Sequence, residues 1–284
     1  MFLQEKCLRS GQLFTDPKFD YNLESLGEKI DWARPQDICS EPKLVVEGTD
    51  QFDVIQVNQQ MLMMINIGVQ GRLGDCWLLA AMSSLAIQPE LLSQVLVPGQ
   101  SLSPGLGYTG AFLFRFWLYG AWLEVVVDDF LPCIAGRLAF IHSDSDSEFW
   151  SPLLEKAYAK LHGSYPALRG GSTSEAMVDF TGGISETISL QGVSDPGGLF
   201  RMLEKAQTKR SLNCCSIQPD PERHEAQTGL GLIKGHAYSI TKVARVNLDS
   251  GVQEELVRVR NPWVRQTALT EWRKSYKHWE NQFN

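Results

Sequence analysis

The 284-residue chain has no CxxC pair, no run of five or more basic residues, no internal repeat and no low-complexity tract. Each absence removes a class of function. The six cysteines, Cys7, Cys39, Cys76, Cys133, Cys214 and Cys215, lack the spacing of a zinc framework. Free thiols in a reducing, cytoplasmic setting are the expectation. Lys and Arg are scattered and the net charge is −7, so phosphate neutralisation is not built in and no nucleic-acid partner is expected. The longest apolar-rich stretch, residues 61–69, is interrupted by Asn66 and is far too short to span a bilayer. Residues 1–11 carry Glu5 and Lys6 and have no apolar core of the signal-peptide kind. No membrane span and no organic cofactor are expected.

Hydrophobic residues make up 43% of the chain and charged residues 21%, with eight Trp and thirteen Phe, which is enough to build a substantial core. The length suits one large domain or two modest lobes. Residues 1–30 read as an irregular lead-in, with turn signals at Asp16-Pro17 and Ser25-Leu26-Gly27. A helix is predicted to start near Gly74-Asp75, with Asp75 as N-cap, Leu78, Met82 and Leu85 on one face, and Pro89 closing it. Residues 112–119 and 122–130 flank Gly120-Ala121 as a β-hairpin. Ser151-Pro152 opens a further helix with Leu153, Leu154, Ala157, Tyr158 and Leu161 on its apolar face, ended by Gly163. A short helix over 174–180 runs into Gly182-Gly183, taken as the boundary between a first lobe, 31–182, and a second, 183–284. The second lobe reads as a helix over 197–208 facing inward through Leu199, Leu203 and Ala206, then strands over 237–246 and 255–260. In the last strand Val257 and Val259 alternate with Leu256, Arg258 and Arg260, the pattern of an antiparallel strand with one wet face.

One cysteine stands where chemistry would need it. Cys76 follows Asp75 at a predicted helix start, behind Gly71 and Gly74. Helix N-termini and imidazolium partners both favour thiolate, while a cysteine beside Trp and Leu is otherwise an ordinary buried hydrophobe. If the two strands of the second lobe pair across a turn at 247–251, the indices of His236 and Asn261 sum to 497 and centre on 248.5, inside that turn. The two side chains would then face each other, about 5 Å apart at Cβ. An asparagine there can accept the ring N–H of the histidine, fix its tautomer, and leave the other nitrogen for a thiol. Taken singly, His236 also reads as a strand-edge histidine and Asn261 as a turn former before Pro262.

The segments QGRLGDCWLLAA (70–81), GHAYSITKV (235–243) and RNPW (260–263) resemble the three catalytic motifs of the calpain family, in the same order. EFWSPLLEKAYAKLHGSY (148–165) and SEAMVDFTGG (174–183) resemble the intervening calpain sequence, so the likeness runs from about residue 13 to residue 263. It implies an α+β fold: a two-lobed papain-like cysteine protease core with a helix-rich first lobe, a β-rich second lobe and the site in the cleft between them. It further implies a Cys76–His236–Asn261 triad that cuts protein substrates. By the same carry-over Gln70 would be the side-chain donor of the oxyanion hole, and Trp263 would shield the histidine–asparagine pair from water. Calcium is implied as a regulator, with Glu148 matching one acidic ligand.

Three departures stand beside this likeness. Ile67 occupies the position of another calcium ligand, and 57–70 looks like an insertion behind a better match at Asp53-Val54-Ile55-Gln56. Asp144, Asp146 and Glu148 alternate without the glycine of an EF-hand loop, so a solvated acidic loop competes with calcium binding. Val264 follows the NPW motif where calpains have glycine, and the remaining tail is basic and aromatic. On this reading the second lobe is truncated, and a catalytically inactive calpain-like product that binds or regulates is the alternative to an enzyme. A transglutaminase-like acyl transferase fits the same residue types without motif support.

Overall fold

The structure is a computed structural model and describes residues 2–19, 30–45, 54–56, 73–143, 145–219, 228, 232–247, 251–262 and 271–274. The lead-in departs from expectation at its start, where Phe2–Ser10 forms helix α1. Straight-chain residues of good helix propensity fill it, with Glu5 in the first turn and Arg9 in the last, but the apolar spacing is too sparse to announce a helix. Residues 14–16 are fastened to the first half of the chain by four hydrogen bonds, one of them from the Phe14 N–H to the Thr109 carbonyl at 2.8 Å. The Asp16 N–H donates to Asp128 Oδ2 at 2.6 Å, Lys160 Nζ to Asp16 Oδ2 at 2.5 Å, and an Arg34 amino group to the Phe14 carbonyl at 2.9 Å.

The first half contains β1 (Asp31–Ala33), α2 (Pro35–Ile38), β2 (Val54–Gln56), α3 (Cys76–Ala86), α4 (Pro89–Val95), β3 (Ala111–Leu118), β4 (Ala121–Asp128), β5 (Leu131–Ile134), β6 (Arg137–Leu138), β7 (Ile141–Ser143), α5 (Trp150–Leu161) and α6 (Thr173–Thr181). Its core is built on α3 and α5, against Phe112, Phe114 and Phe116 of β3 and Phe180 of α6. The pattern of Leu78, Met82 and Leu85 promised one apolar face on α3, yet every residue from Trp77 to Ala86 is buried, as in a helix covered on all sides. Helix α5 begins at Trp150, so Pro152 is its third residue rather than its first; proline is tolerated there because that N–H has no partner within the helix. Glu155 and Lys156 are buried along with its apolar residues. Lys156 survives this by pairing with Asp128 and donating to the Phe130 carbonyl at 2.6 Å.

The β3–β4 hairpin forms as expected, one residue earlier. Its turn is Tyr119-Gly120, at φ 52° and 83°, between the paired Leu118 and Ala121. Positive φ at both turn residues matches the twist of the strands. Helix α6 is capped by Ser172, whose hydroxyl accepts the Glu175 N–H at 3.4 Å. It ends at Gly182, where φ is 67° and a Cβ would press on the Trp117 indole.

The second half contains α7 (Pro196–Thr208), β8 (Cys214–Ile217), β9 (His236–Asn247), β10 (Gln253–Arg260) and β11 (Glu271–Lys274), the strands ordered β11-β10-β9-β8 in one antiparallel sheet. A separate apolar cluster joins α7 to this sheet through Phe200, Ile217, Leu232, Tyr238, Ile240, Val243 and Val259. The alternation in β10 holds, since Val257 and Val259 both turn onto that cluster. Phe200, not the Leu199–Leu203–Ala206 line, is the buried anchor of α7, with Leu203 packed beside it. Strand β8, reading CCSI, carries no alternation from which it could be predicted.

Helix α3 also packs against β8 and β9. The Ser84 hydroxyl donates to the Asn213 carbonyl at 3.1 Å and lies 3.2 Å from Cys214 Sγ, and that thiol donates to the Ala80 carbonyl at 3.4 Å. Glu90 of α4 and Arg210, just past α7, form an exposed ion pair between the same two halves. Among the described residues no helix is long and apolar enough to cross a membrane.

Candidate active site

Cys76 is the first residue of α3 and is half-buried. The turn that delivers it needs glycine. Gly74 has φ 72°, and its carbonyl accepts the Gly170 N–H at 3.0 Å. The neighbouring Trp77 indole is fixed by donating to the Leu168 carbonyl at 2.9 Å, and it lies flat enough on Gly171 that any Cβ there would overlap it. Asp75 occupies the N-cap position, and its carbonyl accepts from the N–H groups of Leu78 and Leu79. Contrary to expectation its side chain makes no capping hydrogen bond. It turns instead into the first core, where it is 1% exposed. The sulfur therefore sits at a helix N-terminus, where unpaired N–H groups and the helix dipole favour negative charge.

His236 opens β9 behind Gly235, which has φ 67°. Its ring is 2% exposed, and Nε2 lies 2.8 Å from Asn261 Oδ1. An amide oxygen only accepts, so Nε2 carries the proton of this bond and Nδ1 holds the lone pair of the neutral ring. The Tyr238 ring stands edge-on to the imidazole, 5.0 Å between centroids, and its own hydroxyl accepts the Ile233 N–H at 2.8 Å.

The two residues meet by a different register from the one the sequence suggested. Gln253 pairs with Asn247 and Arg258 with Lys242, so the turn lies nearer residue 250, and His236 and Asn261 are not directly opposed. Past Arg258 the register shifts: Val259 pairs with Ile240 and Arg260 with Ser239, leaving Thr241 as an extra residue on β9. Arg258 Nε donates to Thr241 Oγ1 at 2.7 Å and fixes this bulge. The shift changes faces. Continuing the earlier register would set Asn261 opposite Ser239, on the side away from His236, whereas the shifted register sets it opposite Tyr238, diagonal to His236 and on its face.

The packing of α3 on β8 and β9 relates the cysteine to this pair. Cys214 touches Ala80, four residues or about 6 Å along the helix from Cys76. It pairs with Ser239, three residues or about 10 Å along the strand from His236. Four of the other thiols are in environments that oppose ionisation. Burial pushes Cys133 and Cys215 up to about 12 and raises Cys39 and Cys214 as well.

Gln70 and Trp263 lie outside the described residues, as do Asp53, Ile67, Asp144 and the 57–70 insertion. Glu148 is buried and accepts from the Ser143 hydroxyl at 2.5 Å. Among the described residues no group of three or more His, Cys, Asp or Glu side chains is placed to hold a metal ion. The sequence reading missed Tyr238 and the Thr241–Arg258 bulge, neither of which carries a local signal. It also missed Glu155, which reads as an exposed polar residue in a helical run.

Comparison with known proteins identifies the family. The family model described as calpain family cysteine protease matches residues 14–283. Calpain-A of Drosophila melanogaster is 46% identical over 96% of the chain, calpain clp-1 of Caenorhabditis elegans 44% over 98%, and the calpain-2 catalytic subunit of Mus musculus 43% over 98%. The chain spans only 32%, 34% and 39% of the lengths of these relatives. Its α+β, papain-like core and its sequence likeness along nearly its whole length place it together with them: the chain belongs to the calpain family of cysteine proteases.

Proposed function

We propose that the chain is an endopeptidase core that cleaves proteins through Cys76, His236 and Asn261. The observation that carries this reading is the 2.8 Å hydrogen bond between His236 Nε2 and Asn261 Oδ1, which orients an imidazole on the sheet that packs against the helix begun by Cys76. In the reaction, Nδ1 of His236 takes the thiol proton and the sulfur attacks a peptide carbonyl carbon. The tetrahedral adduct collapses as the imidazolium protonates the leaving amine. Water, deprotonated by His236, then hydrolyses the thioester and restores the thiol. The Cys76 backbone N–H and the Gln70 side chain are assigned to the oxyanion, and Trp263 to excluding water from the His236–Asn261 pair.

The setting is cytoplasmic and the substrates are proteins with exposed, extended segments. Calcium regulation is part of this reading through the likeness of Glu148 to a family ligand. No chemical step of the reaction above runs through the ion.

The test is labelling of the chain with a thiol-reactive peptide inhibitor, with and without calcium, read by mass spectrometry for each cysteine. Selective modification of Cys76 that His236→Ala abolishes is the expected result. Equal modification of Cys76 and the other cysteines would instead support a binding product without catalysis.

A further inference from the structure

The two halves are joined by a stretch of chain whose middle has no polar partner. Helix α6 stops at Thr181 and α7 starts at Pro196, and over residues 182–190 the chain forms no helix, strand, turn or bend. Residues 183–189 are all exposed, Ile184 at 102% and Ile188 at 39%. Both ends are tied. The Gly183 N–H donates to Thr181 Oγ1 at 3.1 Å, and the Leu190 carbonyl accepts the Val193 N–H at 3.5 Å. Between them, among the described residues, none from Ile184 to Ser189 makes a hydrogen bond, ion pair or ring contact.

Six such residues running without a bend cover about 20 Å. Their open N–H and C=O groups are what an enzyme cleft pairs with when it takes an extended peptide, and exposed segments of this kind are where nicking concentrates. The side chains narrow the class of enzyme. No Lys or Arg stands between residues 183 and 200, so a protease that reads basic residues has no bond to cut. Ile184, Ile188 and Leu190 offer aliphatic side chains instead.

The halves have other ties. Each carries its own apolar cluster, and α3, buried from Trp77 to Ala86, packs against β8 and β9 as well as its own half. Ser84 donates to the Asn213 carbonyl and Cys214 to the Ala80 carbonyl across this seam. Leu212, which follows α7 in the chain, packs on the first cluster and not on the second. Parting the halves would bare one side of α3 and the contact of Leu212, which water opposes.

We propose that residues 184–189 are a site of limited proteolysis for an endopeptidase with a subsite for aliphatic side chains, and that the cut chain persists as a two-chain protein held by the α3 seam. One C–N bond is broken with uptake of one water, leaving a new carboxylate and a new ammonium. Docking of the halves then becomes an association of two chains, dependent on concentration, with Cys76 on one and His236 on the other. The inference does not require Cys76 to be a nucleophile.

The test uses the whole Cys76→Ala chain, so that its own chemistry contributes no cut. Thermolysin, which cuts before bulky aliphatic residues, is added in trace amounts under native conditions and early products are mapped by mass spectrometry. Cuts before Ile184 or Ile188 should appear at least about a hundredfold faster than cuts before the buried Leu78 and Leu79 of α3. Cutting elsewhere while 183–190 stay whole, or cutting there no faster than in α3, overturns the site.

For the second part, residues 184–190 are replaced by the recognition sequence, of the same length, of a site-specific endopeptidase, and near-UV circular dichroism checks the fold. After complete cutting, size-exclusion chromatography at micromolar concentration should show both fragments in one species. Fragments that elute apart overturn the two-chain form. With Ser84→Trp added, the fragments should separate while the uncut protein does not change; cut Ser84→Trp that still elutes as one species overturns the role of the seam.

Discussion

Arg258 donates from Nε to the hydroxyl of Thr241 at 2.7 Å, across the point where the β9–β10 register slips by one residue. One inserted residue on β9 thereby decides on which face of the sheet Asn261 emerges. Deleting Thr241 should move Asn261 away from His236 and so mimic Asn261→Ala. The expected result is a fall of at least about tenfold in His236-dependent alkylation of Cys76, with the β-sheet signal in far-UV circular dichroism retained. Arg258→Ala should show the milder effect of a loosened bulge.

The buried Lys156–Asp128 pair is expected to be costly to break and cheap to replace. Both side chains are 0% exposed, and Asp128 also accepts the N–H groups of Asp16 and Phe130. Lys156→Met leaves a carboxylate in the core without its cation and should cost about 3–5 kcal/mol. Combining it with Asp128→Asn should cost less than the two single changes together, because the stranded charge is gone. Denaturant titration of the four proteins closes the cycle.

Glu155 gives stability a pH dependence of definite sign. Its folded carboxyl lies well above the ordinary value of 4.5, through burial and then the charge of Asp75. Between those two values the folded chain holds a proton that the unfolded chain has released, so stability falls as pH rises through that window. Glu155→Gln should flatten this decline by up to about 1.4 kcal/mol per pH unit. Denaturation midpoints from about pH 5 to about pH 8 measure it.

Three thiols raised above the ordinary range, the buried Cys133 and the half-buried Cys214 and Cys215, should be silent in the folded protein. With Cys133 and Cys215 pushed up to about 12, only about one molecule in 10⁵ carries either thiolate near pH 7. Iodoacetamide should reach Cys133, Cys214 and Cys215 only after denaturant is added. Modification of any of them at the rate of a free thiol under native conditions would contradict the packing of these side chains.

The parts of this structure that were legible in the sequence are those set by local pattern. The start of α3 at Asp75-Cys76, the β3–β4 hairpin, α6 with its glycine stop and the alternation of β10 all come from a few neighbouring residues. The remainder was set by distant partners. Lys156 and Glu155 are charged residues whose burial depends on Asp128 and Asp75, far away in sequence. Strand β8 is defined by its pairing with β9 rather than by its own four residues. The His236–Asn261 contact was anticipated from a simple hairpin count, but the observed turn and bulge are both different, and two departures from that count leave the side chains within reach.

Because β8 and β9 cover the side of α3 that its own half leaves open, the helix that starts with Cys76 is common property of two cores. Chimeras that exchange one half between relatives would have to match the small-residue seam at Ala80, Ser84 and Cys214. A bulky residue on either side of that seam would wedge the halves apart and tilt Cys76 relative to His236, even with both side chains intact.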